Sequence, residues 1–206
     1  MEDGRDVGLD RIVFFSDAVF AIAITLLVLD IRVPEIPEGL VAQRLPEELA
    51  GLWPKYLGYV LSFVVITMYW MGHHSIFSHI RAYDRTLMWL NALFLMCIAF
   101  LPFPASLLGE YGDHQLAVVI YAGSLAAARL LLTAVWWYAT AEHRLVDRRL
   151  SGRMIRAHLL RGLAMPAVFL FSIAVSFFSV SAAVYSWTLL VAADMLVLRA
   201  MRRRGW

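Results

Sequence analysis

The chain is poor in charge, in lysine and in cysteine. Cys97 stands alone among 206 residues, so no internal disulfide and no cysteine-built zinc site can form. Charged residues reach 17%, well below the level of about 25% in soluble domains. The formal net charge is only +2, which speaks against a nucleic-acid partner. There is no HExxH, no phosphate-cradling glycine loop and no nucleophile motif, so nothing points to an enzyme. Hydrophobic residues fill 61% of the sequence, and the mean hydropathy is +0.69. That composition excludes disorder and leaves an integral membrane protein.

Long apolar runs carry the architecture. A spanning helix needs about 20 mostly apolar residues. Six segments meet or approach this, at about 12–33, 52–72, 85–108, 116–141, 159–180 and 182–200. None shows the period-two alternation of a barrel strand. The expectation is an all-α membrane protein, a single six-helix domain over 1–206. No charge falls between Gly162 and Ala193, too long a stretch for one crossing, which places a tight turn near Ser179–Ser181. Pro102 and Pro104 are expected to kink or end the third helix. The segment 34–51, with Pro34, Pro37 and Pro46, reads as the longest loop. The acidic flank of the first run and Asp17 within it argue against a cleaved signal peptide.

Basic residues set the orientation. Of 18, only Lys55 is not arginine. Fourteen collect on one side of a six-span arrangement, Arg32, Arg44 and Lys55 on the other, and Arg129 lies inside a span. Both termini are then cytoplasmic, and the protein is a multi-pass protein of the cell inner (plasma) membrane. The outer side is acidic, with Asp30, Glu35, Glu38, Glu47, Glu48, Glu110 and Asp113. These are either a cation-concentrating rim or ordinary solvated loop charges. Trp136, Trp137, Trp187 and Trp206 read as interface anchors.

The first helix has an unusual surface. At about 100° per residue, Ile22, Leu26 and Leu29 form one apolar ridge, with Thr25 on its flank and Phe15 and Ala18 near the same stripe. Asp17 falls about 140° away. A charge at mid-membrane costs roughly 2.5–3.5 kcal/mol, so Asp17 needs partners. His73 and His74, at the inner end of the second span, are the candidates. By spacing alone, ordinary helix packing is a better reading of the ridge than a pore wall. Asp84 and Asn91 can satisfy polar groups across helices, and Arg129 and Asp194 can pair with each other or snorkel. His73, His74 and His79 lack the carboxylates of a metal site, and no cofactor is expected beyond a permeant ion.

Arg11-x-x-x-Phe15-Ser16-Asp17, followed by Ala18 to Leu29, resembles the signature helix of the transmembrane-protein-175 family, lysosomal potassium-selective channels with shorter prokaryotic relatives. His73-His74-x-x-Phe77, Asp84, Leu90-Asn91 and Pro102-Phe103-Pro104 resemble its second and third helices. The resemblance implies a potassium channel whose fold lacks the usual TVGYG filter and whose pore is lined by the first helix. It implies a homotetramer in the lipid bilayer, as for relatives with one six-helix unit. It assigns the constrictions to Ile22, Leu26 and Leu29 and a polar layer to Thr25. It places Arg11, Phe15, Ser16, Asp17, His73, His74, Asp84 and Asn91 in a gating and structural network. A moderate preference for potassium over sodium is expected. The competing expectation is a proton-coupled secondary transporter using Asp17, Arg129 and Asp194.

Overall fold

The structure, a computed structural model, describes residues 7–187. It is all-helical apart from one isolated bridge between Ile80 and Val146. Helix α1 covers Val7–Leu26 and passes into a 3-10 turn at Leu27–Asp30. Helix α2 covers Val41–Gly51, α3 Trp53–Phe77, α4 Arg85–Phe100, α5 Pro102–Tyr111 and α6 Gln115–Thr140. Helix α7 covers Gly152–Ser176, and α8 runs over Val180–Ser186. Among the described residues, five segments are long and apolar enough to cross a membrane: Val7–Asp30, Trp53–Phe77, Arg85–Tyr111, Gln115–His143 and Gly152–Ser176. Most of the sixth expected span, including Asp194, lies outside the described residues, as do Trp206 and the arginines from Arg199 onward.

The local structure follows from the residues. The third expected span is two helices with a joint at Leu101, because Pro102 and Pro104 have no N–H to continue the ladder. Segment 34–51 is not all loop. Val41, Leu45 and Leu49 recur at four-residue spacing with Gln43 and Glu47 on the opposite side, and this pattern folds as α2 despite Pro46. An Arg44–Glu48 pair at 2.8 Å braces it. Between α7 and α8 the Ser179 hydroxyl caps the new helix, accepting from the Ala182 N–H at 3.2 Å. After α6 the chain reverses through Glu142 and His143, both in the left-handed region with φ of 54° and 53°.

Helix α6 is the central element, packed on α3, α4, α5, α7 and α8. Half of its residues are buried, and Ala122, Ala126, Ala128 and Ala139 let neighbouring backbones approach closely. Trp136 is among them, only 1% exposed, with its Nε1 donating to the Ile155 carbonyl at 3.2 Å. It is a core residue and not an interface anchor, whereas Trp137 on the next helical position is exposed. Trp187 is tied to the Ser172 hydroxyl at 2.9 Å.

The two ends of the bundle differ in charge. At one end the Arg81 N–H donates to the Leu145 carbonyl at 2.8 Å, joining the loop before α4 to the loop after α6. Exposed Arg81, Arg85, Arg144, Arg148, Arg149 and Arg153 gather there. At the other end the Ser106 hydroxyl bonds Asp30, and Lys55 meets Glu110 at 3.4 Å.

The α6–α7 contact allows a direct test. A Cβ on Gly162 would stand 2.5 Å from Thr133 Oγ1, which cannot yield because it donates to the Arg129 carbonyl at 2.8 Å. Gly162→Val should lower the apparent melting temperature of the purified protein, at an overpacking cost of about 1–3 kcal/mol. Gly123→Ala on the same helix meets nothing within 4 Å and should be neutral or stabilising by about 0.5–1 kcal/mol.

Candidate functional site

Helix α1 has two unlike faces. Leu9, Ser16, Phe20, Ala23 and Leu27 recur at spacings of three, four and seven, and all are buried against the bundle. On the opposite side Arg11, Phe15, Ala18, Ile22, Thr25, Leu26 and Leu29 all lie open. Ile22 is 60% exposed, Leu26 43% and Leu29 69%. The ridge read from periodicity is therefore an outward face of the single chain, not part of its core. One detail differs. Leu29 sits in the 3-10 turn, where each residue advances about 120° and not 100°, so its angular place differs from that of an uninterrupted α-helix. Thr25 Oγ1 donates to the Ile22 carbonyl at 2.9 Å, which spends its proton on the helix and leaves its lone pairs facing outward.

The buried face holds a directed chain of hydrogen bonds. The Ser16 hydroxyl donates to the Ile12 carbonyl at 2.8 Å, so it can only accept from Asn91 Nδ2, at 3.0 Å. That fixes the Asn91 oxygen toward His73 Nε2, at 3.1 Å, and requires this nitrogen to carry the proton. Three helices, α1, α4 and α3, are joined in sequence. Ser16, Asn91 and His73 are at most 3% exposed. The His73 ring is stacked on Phe77 at 4.2 Å and lies near Phe94 and Phe20. In so apolar a setting an unpaired polar group is costly, and each bond gains from the low dielectric.

Asp17 finds a different partner from those expected. Trp70 Nε1 donates to Asp17 Oδ1 at 2.8 Å, while His73 is committed to Asn91 and His74 lies against the Trp70 ring at 5.9 Å. The reason is angular: on one helix Ser16 and Asp17 diverge by about 100°, so one reaches α4 and the other reaches the edge of α3. The two adjacent residues brace α1 against two helices at once.

Asp84 lies outside the third span, at its start. It caps α4 by accepting from the Leu87 N–H at 2.8 Å and takes the Tyr138 hydroxyl of α6 at 2.6 Å. Desolvation pushes its carboxyl up, but these bonds and the nearby Arg144 outweigh that and hold it below the ordinary carboxylate value. Arg144 in turn lies over the Tyr138 ring at 4.7 Å. Arg11 does not join Ser16 or Asp17 within the chain. Together with Phe15 it lines a cavity between α1 and α4. The Arg129 guanidinium lies against Gly72 of α3, where a Cβ would come within 3.1 Å of it. Trp70 and Tyr138 were not singled out from the sequence. The available signal was a tryptophan deep in an apolar run, one turn before a histidine pair, with no reason to be at an interface.

A bundle that folds around one face of its first helix and presents the other, apolar face outward defines a multi-pass helical membrane protein. Comparison with known proteins specifies it further. Residues 11–102 match the family model described as "Endosomal/lysosomal potassium channel TMEM175". A potassium channel of Streptomyces collinus is 41% identical over 157 residues, covering 73% of this chain and 74% of the relative. A crystal structure described as a lysosomal potassium-selective channel TMEM175 homolog from Chamaesiphon minutus superposes with a TM-score of 0.78 at 35% identity. It covers 93% of this chain and 98% of that one. The Homo sapiens endosomal/lysosomal proton channel TMEM175 is 38% identical over 98 residues, 19% of its own length. The chain belongs to the TMEM175 family.

Two measurements test this cluster. Asn91→Leu orphans the His73 N–H and a Ser16 lone pair, and should destabilise by about 1–3 kcal/mol per group, read as a fall in apparent melting temperature. Asp84 is held low when folded, so its contribution is complete above the unfolded value near pH 4 and fades as pH falls through the folded one. Melting curves between pH 3 and 6 should show Asp84→Asn losing less stability on acidification than the parent protein.

Proposed function

We propose that the chain is a potassium channel in which four copies place α1 around a shared axis. The observation that carries this reading is the outward stripe of Ile22, Leu26 and Leu29 on a helix whose other face is fixed by a polar chain. A helix braced through Ser16 and Asp17 holds such a stripe at a constant angle. The Chamaesiphon structure, matched over nearly its full length and described as potassium-selective, supports the same reading. In a tetramer each of the three side chains becomes a ring of four.

Stacked apolar rings gate by dewetting. When wide enough to wet, they favour the ion that sheds water more cheaply, which is potassium over sodium. Thr25 lies between the first two rings, and its outward lone pairs replace part of the lost hydration. Without a carbonyl cage the preference is moderate. Arg11, Phe15, Ser16, Asp17, His73, His74, Asp84 and Asn91 set the position of α1 and hence the bore. The arginine-rich end faces the cytoplasm under the positive-inside rule, with the chain in the inner membrane and the acidic end at the outer mouth. The human relative's name as a proton channel favours a second reading, in which protons also pass. Asp17 is poorly placed to carry them, because it points about 140° away from the stripe and is bonded to Trp70.

Purified protein in a planar bilayer, with potassium on one side and sodium on the other, should give a reversal potential displaced toward the potassium equilibrium value. Ile22→Asn and Leu26→Ser should hydrate the constriction, raise single-channel conductance severalfold and move the reversal potential toward zero. Unchanged current and selectivity in both variants would put the pore elsewhere. A reversal potential that follows an imposed pH gradient instead would favour the proton reading.

A further inference from the structure

Three rings meet where the chain leaves α3 and where α7 begins, at the arginine-rich end of the bundle. His79, just past α3, and His158 of α7 stand 6.0 Å apart between ring centroids, inclined at 63°. Trp136 of α6 lies beside both, 5.9 Å from His79 and 5.0 Å from His158. Both histidines are half-buried, and neither lies on α1. Their hydrogen bonds fix the tautomer of each ring. His79 Nδ1 meets the Ser75 carbonyl at 2.8 Å, and His158 Nδ1 meets the Met154 carbonyl at 3.2 Å. A carbonyl oxygen only accepts, so each Nδ1 carries the proton. In the neutral rings each Nε2 then holds a lone pair, and neither Nε2 makes a hydrogen bond among the described residues. Metal-ligating histidines are commonly held in this way, with the second ring nitrogen donating to a backbone carbonyl.

We infer that His79 and His158 together bind a divalent transition-metal ion of the zinc, nickel or copper class through their Nε2 atoms. Two imidazoles that share one ion at 2.0–2.1 Å place their centroids about 5–6 Å apart, so the observed separation needs at most a small ring rotation. The surrounding charges select the class of ion. Arg129 of α6 and Arg161 of α7 lie near enough to act on His158, and among the described residues no third histidine, cysteine or carboxylate joins the pair. A hard cation held by charge and oxygen ligands is repelled here. An ion that bonds imidazole nitrogen directly is retained, with water on its remaining positions. Such an ion straps the end of α3 to α7, two helices that both pack on α6. The inference does not depend on which ion the protein conducts.

The test uses the full chain purified in neutral detergent without a polyhistidine tag and stripped with EDTA. Zinc or magnesium chloride is then titrated by calorimetry, and melting temperature is measured in parallel. Zinc should bind at one ion per chain and raise the melting temperature, while magnesium should do neither. His79→Gln and His158→Gln should each weaken zinc binding about 100-fold, because the second imidazole binds as an intramolecular step. Their melting temperatures in EDTA report whether the fold is intact. His114→Asn and His143→Asn should leave zinc binding unchanged. Copper(II) added to the parent protein gives a readout that needs no variant: its electron paramagnetic resonance spectrum should show coupling to two imidazole nitrogens. Full zinc affinity in both His79→Gln and His158→Gln would overturn the inference. Loss of affinity in His143→Asn would do the same, by placing the ion on the loop after α6. So would a copper spectrum with one coupled nitrogen, or a melting shift that magnesium reproduces.

Discussion

The rest of the structure depends on Asn91. Its amide sits between Ser16 of α1 and His73 of α3, and only one orientation of that amide bonds both neighbours, while His73 Nδ1 stays buried without a partner among the described residues. In lipid there is no water to compete for these groups, so the arrangement is directional in a way that apolar packing is not. Aromatic contact among Phe20, Phe77 and Phe94 around His73 fills the space but would tolerate rotation of α1. The hydrogen bonds do not. They determine which face of α1 meets the bundle, and therefore which face is left over.

What is left over is functionally the more informative surface. Helix α1 is anchored at one level by Ser16 and Asp17, and near the opposite end by the contact of Asp30 with Ser106. Between these anchors the outward stripe contains only apolar residues and Thr25. The same bracing explains why an arginine one and a half turns before Ser16 emerges beside α4 and not toward Asp17, and so why Arg11 lines a cavity. Helix α6 has the converse role: its alanines and the Gly162–Thr133 contact make a rigid backing against which the α1, α3 and α4 triad is held.

Much of the fold was legible in the sequence because membrane spans obey a simple length and polarity rule. The joint at Pro102 and the apolar ridge on α1 followed from chemistry that acts within a few residues. Helix α2 was missed because three prolines in 34–51 masked a short amphipathic repeat. Trp136 was misplaced because a tryptophan near the end of a span is usually an anchor, and only the approach of α7 at Ile155 buries it. The partner of Asp17 was also misjudged. Spacing within α1 gives the direction in which a carboxylate points, but not the rotation of α3 that brings Trp70, and not the histidines, to that side.

The sequence by itself determined that this is a helical membrane protein, how its ends differ in charge, and which residues of α1 share a face. These depend on hydropathy, on charge counts and on a period of 3.6, all of which are local. Only the tertiary structure decided which face of α1 is buried, which polar groups meet across helices, and that Arg11 opens onto a cavity. Those outcomes turn on the rotations and separations of three helices that are distant in the chain, set by hydrogen bonds that exist only once the helices have packed.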